Sequence, residues 1–139
     1  MTPAEPTKKN LALRLGLAAE VEQTVPHAWT IAAYDPALPA VLSTPAMIAL
    51  MEVASAKAVA PELPPHAITV GTRIEVDHLK PVPAGAVVRA SARLVKHEGR
   101  FLVFDVEAHS GDHLIGRGRV FRAIVESIQF STKANERVM

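Results

Sequence analysis

Alternating apolar and polar residues at both ends of this chain bracket a central run that is apolar almost throughout, and the contrast outlines the fold. From Glu20 to Val25 the alternation predicts a first strand within Leu17–Val25, which Pro26 ends. No period is sustained from His27 to Ser43, where Pro36 and Pro39 fall. That stretch reads as a loop or lid, with one short strand around Trp29 to Ala33. The run from Pro45 to Ala60 predicts a long helix that belongs in a core. Thr44 at the N-cap, with Ser43 as the alternative, and Pro45 at the first helical position supply its start. Pro61, Pro64 and Pro65 end it.

Beyond the helix the pattern is strand-like. Ile68, Val70, Thr72, Ile74, Val76 and His78 alternate along one strand that closes at Lys80–Gly85. Val87 to His97, Phe101 to His109 and His113 to about Phe130 give three more, with turns at Glu98-Gly99 and Ser110-Gly-Asp112. Residues 1–10 read as a flexible leader and 131–139 as a polar tail, flanking a domain over 11–130. A helix apolar nearly all round needs a sheet that curls about it. The predicted class is therefore α+β with the hot-dog fold, one long central helix wrapped by a curved antiparallel sheet.

Composition narrows the function more than the fold. The 139 residues suit one domain, and the 49% hydrophobic and 21% charged content excludes wholesale disorder. A net charge of +1, with one Trp, one Tyr and four Phe, argues against a nucleic-acid partner. The chain has no cysteine, which removes thiolate zinc sites and a cysteine nucleophile and is compatible with the reducing cytoplasm. No apolar run approaches the ~20 residues of a membrane span, so a cytoplasmic protein without a membrane partner is expected.

Glu52 is the conspicuous residue. It lies between Met51 and Val53 in the apolar run, where an ionised group needs a partner, a raised pKa or a task. In a structural role it pairs with Lys57 or Ser55 or reaches solvent at a dimer edge. His78 falls on the apolar face of its strand near the strand's end, so packing the helix on that face brings it into the same dry environment as Glu52. Gly71 interrupts a strand rich in β-branched residues, either as a bulge or close helix contact or as a backbone donor for a developing oxyanion. Arg117 and Arg119 point opposite to Arg122 in a regular strand, and Arg122 is the candidate for a phosphate or carbonyl contact. His109 and His113 bracket a Ser-Gly-Asp turn, which explains their spacing without a metal.

The stretch Val76-Asp-His-Leu-Lys-Pro-Val-Pro-Ala-Gly85 and the strand after it resemble hot-dog acyl-CoA thioesterases. Thr44, Met51-Glu52, Gly71-Thr72, His78 and Gly116-x-Gly-x-x-x-Arg122 resemble, as an ordered set, the fluoroacetyl-CoA thioesterase family. The resemblance implies hydrolysis of a small acyl-CoA thioester at a Thr–Glu–His site carried by Thr44, Glu52 and His78. It also implies Gly71 beside the thioester, Arg122 near the coenzyme A ester, and a homodimer with sites at the subunit interface. No cofactor is implied, since coenzyme A is part of the substrate. Two features depart from the family. The loop Tyr34–Leu42 is shorter and lacks the phenylalanines that form a lid over the acyl group, and Pro45 replaces the glycine after the threonine. A hot-dog enoyl-CoA hydratase and a non-catalytic acyl-CoA binding module remain as alternatives. Eight residues of helix separate Thr44 from Glu52 by roughly 12 Å. A compact triad therefore requires the segment at Thr44 to fold back, or two subunits to share the site.

Overall fold

The structure is a computed structural model describing residues 13–138, so the leader expected over 1–10 lies outside the described residues. Five strands form: β1 (Ala18–Thr24), β2 (Ala67–His78), β3 (Val87–Glu98), β4 (Phe101–Ser110) and β5 (His113–Glu126). They make one antiparallel sheet in the order β1-β3-β4-β5-β2. The helix α1 (Thr44–Val59) touches all five strands. This is the expected hot-dog fold.

Along β3 as far as Leu94 and β4 as far as Ala108 the alternation holds as written; the register shifts beyond each. Val88, Ala90, Ala92 and Leu94, with Leu102, Phe104, Val106 and Ala108, are buried against Met47, Leu50, Met51 and Ala54 of α1. Each large side chain among them contributes about 1.5–3 kcal/mol when fully buried. The buried Ser55 hydroxyl is satisfied by donating to the Met51 carbonyl at 2.8 Å.

Three elements differ from expectation. No strand forms at Trp29–Ala33. Two 3-10 turns, His27–Trp29 and Ile31–Ala33, meet at Thr30, whose hydroxyl donates to the His27 carbonyl and favours the turn over a ladder. Only a lone bridge, Thr30 to Leu42, records the strand tendency. Strand β5 stops at Glu126 and not at Phe130, and the chain then winds into α2 (Ser127–Val138). The Glu126 carboxylate accepts from the N–H groups of Ile128 and Gln129 at 3.2 and 2.7 Å, an N-terminal cap that the alternation pattern did not reveal.

The third difference is in β2. Its register with β5 shifts between Gly71 and Arg73, so Thr72 is the extra residue of a bulge. Beyond the bulge Ile74, Val76 and His78 share a face, as expected. Before it the parity reverses, and Ile68 is 41% exposed. Gly71, opposite in parity to His78 in the sequence, is thereby turned to the same face as His78 and Arg122.

Nor is α1 buried all round. Ala49, Val53 and Lys57 are exposed, Val53 by 54%. Glu52 lies on this flank and not in the core, beside the edge strand β2.

Candidate active site

The first turn of α1 assigns its hydroxyls by default. Ser43 is the N-cap, and its Oγ accepts from the Ala46 N–H at 3.3 Å. Thr44 becomes the first helical residue and Pro45, which has no N–H, the second. The expectation of Thr44 as N-cap is thus corrected in favour of Ser43, and the Thr44 hydroxyl is left free. It lies 2.8 Å from His78 Nδ1. The cap residue is anchored by its own N–H, which donates to the Trp29 carbonyl at 2.8 Å.

Gly116 sets the height of this turn above the sheet. It pairs with His78 in the ladder, and a Cβ there would press into the Met47 sulfur. Met47 is one turn along from Thr44, so the missing side chain lets α1 settle where Thr44 meets the end of β2. Gly118 serves the sheet itself. At φ +156° it admits the Glu75 carbonyl where a Cβ would collide with it.

A second polar cluster forms at the other end of β2. Glu52 Oε1 accepts from Arg122 Nη1 at 3.2 Å, and Arg122 also donates from Nε to Thr69 Oγ1 at 2.9 Å and from Nη2 to the Thr69 carbonyl at 2.8 Å. Glu52 is 34% exposed and Arg122 10% by side chain. Burial lowers the Arg122 pKa from its ordinary value, and the Glu52 charge acts against that shift. Gly71 completes the cluster, since a Cβ on it would occupy the place of Glu52 Oε1. The candidate partners of Glu52 are corrected accordingly. Lys57 Nζ reaches the Glu20 carbonyl and Ser55 bonds Met51, while Arg122, the candidate substrate contact, holds the carboxylate. The signal was its place between Val120 and Ile124 on the buried face, where a cation requires an anion.

The two clusters do not meet within one chain. Helix α1 runs unbroken from Thr44 to Val59, so the fold-back is excluded. Gly71 and His78 lie roughly 20 Å apart along β2 at ~3.3 Å per residue. The dry Glu52–His78 pair expected from the sequence therefore does not form inside a protomer. His78 Nε2 is buried without a hydrogen-bond partner among the described residues. An open surface groove of about 320 Å³ is lined by Thr44 and His78 together with Ile31, Val41, Leu42 and Leu79.

Arg117 and Arg119 point away from Arg122, as expected, and Arg119 pairs with Asp105 on the outer face at 3.2 Å. His109 lies 3.8 Å from Glu107, and among the described residues no group of three His, Cys, Asp or Glu side chains could hold a metal. No helix there is long and apolar enough to cross a membrane.

One long helix wrapped by one antiparallel sheet is the hot-dog fold, and it sets the Thr44 hydroxyl against the His78 imidazole at an open surface groove. The sequence pattern described as fluoroacetyl-CoA-specific thioesterase matches residues 25–128, and the chain belongs to that family. It is 36% identical over 115 residues to the fluoroacetyl-CoA thioesterase of Streptantibioticus cattleyicolor, covering 83% of each chain. A threonine-to-serine variant of fluoroacetyl-CoA thioesterase, solved in complex with acetyl-CoA, superimposes with a TM-score of 0.83 at 32% identity. That match covers 91% of this chain and 100% of the other. A thioesterase superfamily member from Thermus thermophilus matches with a TM-score of 0.81 and 30% identity, covering 91% and 96% of the two chains.

Proposed function

We propose that this chain hydrolyses an acyl-CoA thioester with Thr44 as nucleophile, His78 as base and Glu52 as the carboxylate of the site. The observation that carries the reading is the 2.8 Å contact between Thr44 Oγ1 and His78 Nδ1, the spacing of a nucleophile and its base. His78 takes the hydroxyl proton as Oγ1 attacks the thioester carbon. The C–S bond breaks, and the imidazolium returns the proton to the departing thiolate. Water, deprotonated by the same ring, then attacks the threonine ester, and the ring returns that proton to Thr44 Oγ1 as the acid leaves. The scheme uses no cofactor beyond the coenzyme A of the substrate, and we place it in the cytoplasm on the cysteine-free composition.

Glu52 enters from a second copy. Strand β2 is a sheet edge of 12 residues, long enough to pair with another chain. Antiparallel pairing of two β2 edges about a two-fold axis between Ile74 and Glu75 sets Gly71 of each copy opposite His78 of the other. That register brings a Glu52 carboxylate toward the end of the strand where His78 Nε2 lacks a partner, able to stabilise the imidazolium. Donors near Gly71 would then face the thioester oxygen.

Thiol release from a panel of acyl-CoA esters tests the reaction. Free acid and free coenzyme A are the expected products. A hydratase would return an intact hydroxyacyl thioester, and a binding module would release no thiol.

A further inference from the structure

Thr69 takes no part in the proposed reaction, yet it engages Arg122 twice, and its consequence for Glu52 rests on the thioesterase reading. Arg122 Nε donates to the Thr69 hydroxyl at 2.9 Å and Nη2 to the Thr69 carbonyl at 2.8 Å. These two nitrogens lie on one edge of the planar guanidinium, so a single residue holds the fork along that edge. Nη1 is left to face Glu52, and it reaches Oε1 at 3.2 Å. Among the described residues Oε2 of Glu52 makes no hydrogen bond.

The bulge in β2 brings Thr69 to this place. Thr69 and His78 have opposite parity in the sequence, and the extra residue Thr72 turns Thr69, like Gly71, to the face that carries Arg122. Gly71 limits the other side, since a Cβ there would take the position of Oε1. The proposed pairing of β2 with a second copy runs from Gly71 to His78. Thr69 lies past its end, so both bonds to Arg122 persist in the dimer. We infer that Thr69 and Arg122 are positioning residues, which hold Glu52 by one oxygen and so present the other to the His78 imidazole of the second copy. A guanidinium that loses one of its fixed bonds can pivot and take the carboxylate with it. A displacement of about 1 Å at a reacting group costs up to about 100-fold in rate.

The experiment reads kcat and KM by thiol release from the acyl-CoA ester of the panel that wild type hydrolyses fastest. Sedimentation and chemical denaturation check assembly and fold. Thr69→Val keeps the branched shape and removes the hydroxyl; it should lower kcat about tenfold with KM unchanged within about twofold. Thr69→Ser, which keeps the hydroxyl, should stay within about threefold of wild type. Arg122→Lys keeps the charge and loses the fork, and should lower kcat at least about tenfold, again without a change in KM. In the Glu52→Gln background Thr69→Val should alter kcat by less than about twofold, because the charge it positions is gone. Wild-type kcat in Thr69→Val, or an equal loss in both backgrounds, overturns the inference and leaves the thioesterase reading standing. A raised KM as the main effect of Arg122→Lys also overturns it, since Arg122 then contacts the substrate. If Thr69→Val does not fold, Arg122→Lys in the two backgrounds decides by the same comparison. If wild type releases thiol from no ester, the thioesterase reading itself fails and the inference falls with it.

Discussion

At Thr44 and His78 the chemistry turns on which hydroxyl caps the helix. Because Ser43 takes the Ala46 N–H, Thr44 is free to meet His78. His78→Ala should lower turnover by roughly 100-fold or more with the fold retained, and Thr44→Ala should do the same while Thr44→Ser keeps much of the rate. Near-normal thiol release from His78→Ala or Thr44→Ala would remove that residue from the mechanism. The other cluster calls for a pair of variants. Glu52→Gln keeps an acceptor for Arg122 but removes the charge that offsets its burial, so unfolding free energy should fall by about 1–3 kcal/mol while turnover falls roughly 100-fold. Gly71→Ala should act through position, its Cβ driving the carboxylate off Arg122 and slowing turnover at least about tenfold. If Gly71→Ala is as active as wild type, Glu52 does not need its present place. The sequence made Glu52 and His78 conspicuous because a charge in an apolar run and a histidine on an apolar face are each costly without a role. It hid their separation, since burial pattern gives a residue's face but not its distance along the element.

Within elements, parity was legible and its interruption was not. Strands β3 and β4 follow their alternation as far as Leu94 and Ala108, where the register shifts, and α1 follows its proline boundaries. The bulge at Thr72 leaves no mark in a run where apolar, polar and β-branched residues are all compatible with either face, yet it turns Gly71 toward Glu52. The start of α1 was ambiguous for a definite reason: Ser43 and Thr44 are both good caps, and Pro45 favours an extended Thr44, whereas the bond from the Ser43 N–H to the Trp29 carbonyl holds Ser43 as the cap. The assignment has a measurable consequence. Ser43→Ala should destabilise the fold by about 1 kcal/mol in chemical denaturation. Its effect on turnover should be smaller than that of Thr44→Ala, because it removes an end-of-helix bond and not the hydroxyl proposed as nucleophile. A larger loss of turnover in Ser43→Ala than in Thr44→Ala would reverse the two roles. The terminal helix α2 escaped notice because Ile128 and Phe130 continue the alternation of β5, whereas the capping carboxylate of Glu126 acts only through geometry.

For the whole molecule, the decisive relation is between an edge strand and a helix flank on the same side. Strand β2 ends the sheet, and the neighbouring flank of α1 presents Ala49 and the 54% exposed Val53 around Glu52. Apolar surface beside an open sheet edge favours covering by a second copy, and two-fold symmetry makes the same patch serve both sides. A shared site then predicts complementation. Homodimers of His78→Ala lack both bases, and homodimers of Glu52→Gln lack both carboxylates. A heterodimer of the two variants contains one site with both groups intact and one with neither. Refolding an equal mixture should therefore restore about a quarter of wild-type turnover, since half the dimers are mixed and each carries one working site of two. If each site drew Thr44, His78 and Glu52 from one chain, mixing would restore nothing. Sedimentation of the same mixture checks the premise, and a monomer at micromolar concentration that retains full turnover would rule out the shared site. With the two clusters about 20 Å apart along β2, restoration is the expected result if the proposed site takes Glu52 from one copy and Thr44 and His78 from the other.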